Sequence, residues 1–266
     1  MNFTKKYYNK TQEESRMYTD SHCHITTDSL YERIDDVIEN MKDVSSCMIM
    51  CTNEEEFLRA LSIKQKYPKF KIAFGWFPGD AKEITEEHIL KLKNYIAQGK
   101  VDVLGEIGLD YYWDTTFNDI QKNLFIKQIE IANEASIPIA IHMRESTQDC
   151  MDILKQYAKT KVIMHCYSGS VETMKECLRR GYYISFAGPI TFKNAKSGPD
   201  CVKACPLDHM LSETDSPYLT PVPFRGKQNE PMYVEHTVKK IAELKEMDVE
   251  VVAKAIEQNF LSLFEK

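Results

Sequence analysis

The chain has 266 residues, 43% of them hydrophobic and 28% charged, with a formal net charge of −6. That is the composition of a globular protein with a substantial core, and its length suits a single α/β barrel of roughly 250 residues. The negative charge argues against a protein that coats nucleic acid by bulk electrostatics. It leaves a nuclease open, because carboxylates gathered around cations lower the net charge while the loaded site stays electrophilic.

No apolar run approaches the ~18 residues that a membrane span needs. The polar stretch from Met1 to Arg16 lacks the apolar segment of a secretory signal, so a cytoplasmic location with no membrane contact is expected. Residues 1–16 read either as a disordered polar extension or as a matter of start-codon choice, with one domain over 17–266. Without a secretory signal, the eight cysteines read as reduced, buried thiols.

In chain order, short β-rich runs fall at 17–24, 44–52, 71–76, 101–107, 137–142, 162–166, 182–186 and 209–212. Several are apolar on successive residues, as strands covered on both faces should be. Amphipathic helical patterns lie between them at 29–41, 54–67, 86–97, 117–135, 145–158, 171–180 and 193–204. Two more, at 231–245 and 249–264, follow in succession with no strand between. Strict alternation gives a parallel sheet, and eight strands close it, so the expected fold is an α/β (β/α)8 TIM barrel. The final helical pattern is expected to pack across the barrel. An open doubly wound sheet would need a glycine-rich phosphate turn after the first strand; His22, Cys23 and His24 stand there instead.

Barrel enzymes place their chemistry at the C-terminal ends of the strands. His22 and His24 end the first expected strand, and a spacing of two puts both imidazoles on one side, able to grip one ion. Glu106 ends the fourth, His142 the fifth and His165 the sixth, while the eighth runs out into Glu213, Thr214 and Asp215. Such a cluster would be costly without cations to neutralise it, so a metal site is expected. His88, His209 and His236 fall on helical faces or at a strand start and read as structural or solvated. Arg225 and Arg144 are candidates for substrate phosphate, with a salt bridge to Glu230 as the structural role for Arg225. Tyr111, Tyr112 and Trp113 read either as packing or as a stacking surface for bases.

The ordered segments DSHCHI (20–25), GEIGLDYY (105–112), IHMR (141–144), HCYSG (165–169) and ETDSPYLTPVPFRGKQNEP (213–231) resemble the TatD family of metal-dependent deoxyribonucleases, within the amidohydrolase-like superfamily. The resemblance runs from about Met17 to Phe264. It implies two divalent metal ions, with Mg²⁺, Mn²⁺ or Zn²⁺ all compatible with the donors. His22, His24 and Asp215 would hold the first, His142 and His165 the second, and Glu106 would bridge them. It also implies hydrolysis of DNA phosphodiesters at strand ends or in single strands, with Glu106 and Asp215 catalytic.

One departure concerns the segment after the third strand. Family members often carry Gly-x-His-Pro there, and this chain has Phe77 at the histidine position. A hydrolase of another ester, phosphotriester or amide is therefore the second reading. A barrel retained as a non-catalytic binding protein is the third, disfavoured by the intact ligand set.

Overall fold

The eight strands are β1 (Tyr18–Cys23), β2 (Val44–Cys51), β3 (Lys71–Phe74), β4 (Leu104–Asp110), β5 (Ile139–Arg144), β6 (Val162–Met164), β7 (Tyr183–Phe186) and β8 (Met210–Ser212) in a computed structural model. It describes residues 18–265, so the extension expected over 1–16 lies outside the described residues. All pairings are parallel, in the order β1-β2-β3 and β4-β5-β6-β7-β8.

The two arcs close into one barrel. A bridge between Ala73 and Val103 joins β3 to the approach of β4. On the other side, Ser212 Oγ donates to the Thr19 carbonyl at 2.7 Å and Asp215 N to the His22 carbonyl at 3.0 Å. This is the (β/α)8 barrel that the alternating pattern predicts.

The helices are α1 (Asp28–Tyr31), α2 (Ile34–Asn40), α3 (Glu54–Lys66), α4 (Glu86–Ala97), α5 (Asn118–Ala135), α6 (Thr147–Tyr157), α7 (Val171–Arg179), α8 (Ser197–Ala204), α9 (Val234–Lys245) and α10 (Val249–Ser262). The continuous helix expected over 29–41 is instead broken at Arg33, which leaves helical geometry where its guanidinium reaches Glu230 (2.7 Å) and Gln228 (2.8 Å). The pattern at 193–204 becomes helical only from Ser197, which places Gly198 and Pro199 in the first turn, where backbone N–H groups have no intrahelical acceptor to lose.

Inside the barrel, Met48, Met50, Ala73, Val103, Ala140, Ile163 and Leu211 form an apolar floor with Phe260 and Leu263. α10 thus seals the end at which the strands begin. Lys161, just ahead of β6, donates to the carbonyls of Ser262 (2.5 Å) and Glu265 (2.8 Å), a cation on the unpaired carbonyls that end this helix. With that end closed, the opposite end is left for chemistry. Among the described residues, no helix is long and apolar enough to cross a membrane, and all eight cysteines are free.

Candidate metal centre

The sequence-designated histidines and carboxylates meet at the open end. His22 Nε2 and His24 Nε2 are 3.1 Å apart, both turned to one side as their spacing on β1 requires. His22 Nε2 lies 3.5 Å from Glu106 Oε2 and 3.7 Å from Asp215 Oδ1. His24 Nε2 lies 3.7 Å and 3.5 Å from the same two oxygens. His165 Nε2 is 3.5 Å from Glu106 Oε1, and its ring stacks on that of His22 with centroids 3.5 Å apart. Asp215 turns its carboxylate inward from a left-handed backbone (φ 55°), a conformation Asp tolerates better than most residues. Two backbone bonds hold that turn, from Asp215 N to the His22 carbonyl and from Tyr218 N to the Asp215 carbonyl.

β4 differs most from expectation. It begins at Leu104 and runs to Asp110 rather than ending at Glu106–Ile107, so a further carboxylate reaches the site. His142 pairs with Gly108, and the two acidic residues that flank this glycine clasp the histidine ring. Nδ1 is 2.7 Å from Glu106 Oε1 and Nε2 is 2.9 Å from Asp110 Oδ2. Gly108 makes that approach possible: with φ +143°, a Cβ there would lie 2.0 Å from the His142 carbonyl oxygen. His142 therefore joins the cluster through Glu106, with Nδ1 as its inward atom.

Two more buried carboxylates brace the rim. Glu213 is fully buried, with Oε1 2.9 Å from His165 Nδ1, an ion-pair distance without hydrogen-bond alignment. Asp20 accepts from His22 N (3.2 Å), Thr214 N (3.0 Å) and Thr214 Oγ1 (2.6 Å), tying β1 to the segment after β8.

Mutual attraction inside this low-dielectric cluster moves protons onto imidazoles. Burial pulls His142 down, but its bonds to Asp110 and Glu106 outweigh that and raise it to about 9. Burial likewise disfavours charge on His165, yet the charges of Glu213 and Glu106 raise it to about 10. For Glu106, burial pushes the carboxyl up, and the charge of His165 and the bond from His142 bring it well below its ordinary range. Asp215 is lowered too, since the His24 bond and the charges of the histidines overcome burial. His22 moves the other way, depressed by burial and by the charge on His165.

The cluster forms part of the wall of a cavity of about 750 Å³. Phe77, Trp113, Arg144 and Tyr218 also line it. Phe77 stands edge-on to His142, with centroids 5.0 Å apart. Arg144 thus lines the cavity. Arg225 is not among the lining residues; it is exposed and lies over the Phe192 ring at 3.9 Å. Nor does it meet Glu230, whose carboxylate is taken by Arg33 (2.7 Å) and Asn40 (2.9 Å). His88 accepts from Thr85 N at 3.0 Å in a capping box at the start of α4, a structural role. His209 and His236 pack against Tyr183 and Phe224.

The donors suit a divalent cation: imidazole nitrogens and carboxylate oxygens, aimed at one another and largely removed from water. His22, His24 and Asp215 form one group with ligand atoms within 4.8 Å of each other, and His22, Glu106 and His165 form another. A closed-floor barrel with such a cluster at the strand ends defines a metal-dependent hydrolase of the amidohydrolase-like type. Comparison with known proteins makes that particular. The profile of the TatD related DNase family matches residues 19–265, and the chain belongs to this family.

The chain is 42% identical over 252 residues to the "Uncharacterized metal-dependent hydrolase YabD" of Bacillus subtilis, covering 93% of this chain and 99% of that protein. It is similar in structure to YJJV, the TatD homolog of Escherichia coli K12, with a TM-score of 0.88, 25% identity, and 94% and 98% of the two chains covered. A TatD family hydrolase from Entamoeba histolytica shares the fold at a TM-score of 0.83 and 20% identity, over 94% and 99% of the chains.

Proposed function

We propose that this metal-dependent hydrolase is a deoxyribonuclease that cleaves phosphodiester bonds in single-stranded DNA or at strand ends, using two divalent cations. The observation that carries the reading is the joining of the imidazole–carboxylate cluster to a large cavity that Arg144 also lines. In this reading His22, His24 and Asp215 would hold one cation, His142 and His165 would hold the other, and Glu106 would contribute to both. Mg²⁺, Mn²⁺ and Zn²⁺ all suit the donors. Bound there, the cations would lower the pKa of water and stabilise negative charge on the phosphoryl oxygens.

The residues supply the rest. Asp215 is held ionised by His24 and the neighbouring imidazoles, so it can orient the attacking water and accept its proton. Asp110 orients the ring of His142 from behind by a hydrogen bond, and Glu213 stands behind His165 as a charge partner. Arg144, which lines the same cavity, would take a phosphate oxygen with its planar guanidinium.

A second reading rests on Phe77. An aromatic edge packed against His142 offers nothing polar to a phosphate, which leaves room for a different ester, a phosphotriester or an amide as substrate.

The deciding experiment follows cleavage of single-stranded DNA beside a panel of lactone, phosphotriester and amide substrates, using the unmodified chain, Glu106→Gln and Asp215→Asn. DNA cleavage reduced about 10²- to 10⁴-fold by Asp215→Asn supports the nuclease. Turnover confined to the ester and amide panel transfers the assignment to the second reading.

A further inference from the structure

Tyr111, Tyr112 and Trp113 leave β4 as one aromatic run, and the fold gives them different surroundings. Tyr111 packs against the core, and its hydroxyl donates to Asp149 Oδ2 at 2.8 Å, which makes it structural. Trp113 is 77% exposed, yet it lines the metal cavity. Its ring stands edge-to-face against Tyr112, with centroids 4.7 Å apart and planes at 88°. The Arg144 guanidinium lies 3.9 Å from the Tyr112 centroid and 5.3 Å from that of Trp113. These contacts orient the group without burying the indole.

The exposed indole lines the cavity that holds the carboxylate-rich centre, so its free surface is available to a ligand bound there. The chemistry next to it selects which one. A flat apolar surface with a fixed guanidinium alongside matches a base joined to a phosphate, since stacking tolerates any base and the cation takes the anion. Bases inside a duplex are already stacked on both sides, so only an unpaired base can occupy this surface.

We infer that Trp113 stacks on an unpaired base of the substrate strand while Arg144 holds the adjoining phosphate, which makes this corner of the cavity a base subsite beside the metal centre. This inference rests on the proposed nuclease reading and gives it a specific base subsite. Sequence alone offered the three aromatics as equivalent; their exposure separates them.

Two measurements test it. The chain has two tryptophans, and Trp76 is buried, so emission changes at the exposed indole report on Trp113. Oligodeoxythymidylate titrated into the full-length Glu106→Gln chain should quench that emission, and a duplex of equal length should need at least tenfold more. Adding Trp113→Phe should abolish the quenching. For kinetics, kcat/KM is compared between a strand with a base beside the scissile linkage and the same strand abasic there. Trp113→Ala should lower that ratio by about ten- to a hundredfold, with partial recovery in Trp113→Phe.

An unchanged ratio, or no quenching by single strands, would overturn the subsite. Failure of the nuclease reading looks different: the unmodified chain would cleave neither strand. The emission titration still decides the subsite in that case.

Discussion

Asp110 Oδ2 lies 2.9 Å from His142 Nε2, on the opposite edge of the ring from Glu106. With a cation bound, this bond would keep the ring proton on Nε2 and leave Nδ1 for the centre of the site. Carboxylates placed behind a ligating imidazole raise its basicity and lock its orientation.

Asp110→Ala should therefore weaken metal binding by about 10- to 100-fold without removing a ligand. Competition against a metal-sensing dye reads this directly. An affinity equal to that of the unmodified chain would show that Asp110 does not position His142.

Metal binding should also be tied to protons. Folding raises His142 to about 9 and His165 to about 10, against 6.5 for a free imidazole. In the metal-free chain their contribution to stability is fully present below pH 6.5 and fades as pH rises through about 9 to 10. Glu106 and Asp215 are lowered, so their contribution is present above the ordinary carboxylate range and lost as pH falls through their depressed values. A cation must displace the imidazole protons, so binding at pH near 7 should release protons and tighten as pH rises. Calorimetry in buffers of different ionisation enthalpy measures the release; a heat independent of buffer would count against it.

Phe77→His should restore a polar group to the cavity wall beside His142. For a phosphodiester substrate, KM should fall by about 10- to 100-fold, the order of one hydrogen bond to a charged group. A lowered KM for DNA with no change for a neutral ester would mark Phe77 as a specificity determinant. Equal kinetics on both substrates would remove it from the substrate-contacting set.

The floor of the barrel should govern stability apart from chemistry. Phe260 is fully buried among the inward residues of the strands. Phe260→Ala should cost about 3–5 kcal/mol in urea unfolding. A cost below about 1 kcal/mol would mean that α10 does not plug the barrel.

Much of this was legible in the sequence because its signals are local and periodic. Continuous apolar runs marked buried parallel strands, and the His-x-His spacing placed two imidazoles on one side of β1. Asp110 escaped because the apolar run suggests a strand ending near Ile107. The alternation of Glu106, Gly108 and Asp110 was the available clue to a longer strand. The break at Arg33 and the true partner of Glu230 were beyond reach, since both depend on a contact between residues 197 positions apart. Arg225 was assigned to substrate from its residue type and loop. Which way a loop arginine turns is set by its neighbours, here the ring of Phe192.

The most direct test strips the chain of metal with a chelator and then titrates Mn²⁺ back while following end-labelled single-stranded DNA, with Glu106→Gln in parallel. The account predicts no cleavage in chelator, recovery on Mn²⁺ addition, and a rate at least about 100-fold lower for Glu106→Gln. Cleavage that persists in chelator, or that Glu106→Gln leaves intact, would contradict it, as would inert DNA with Mn²⁺, Mg²⁺ and Zn²⁺ each supplied in turn.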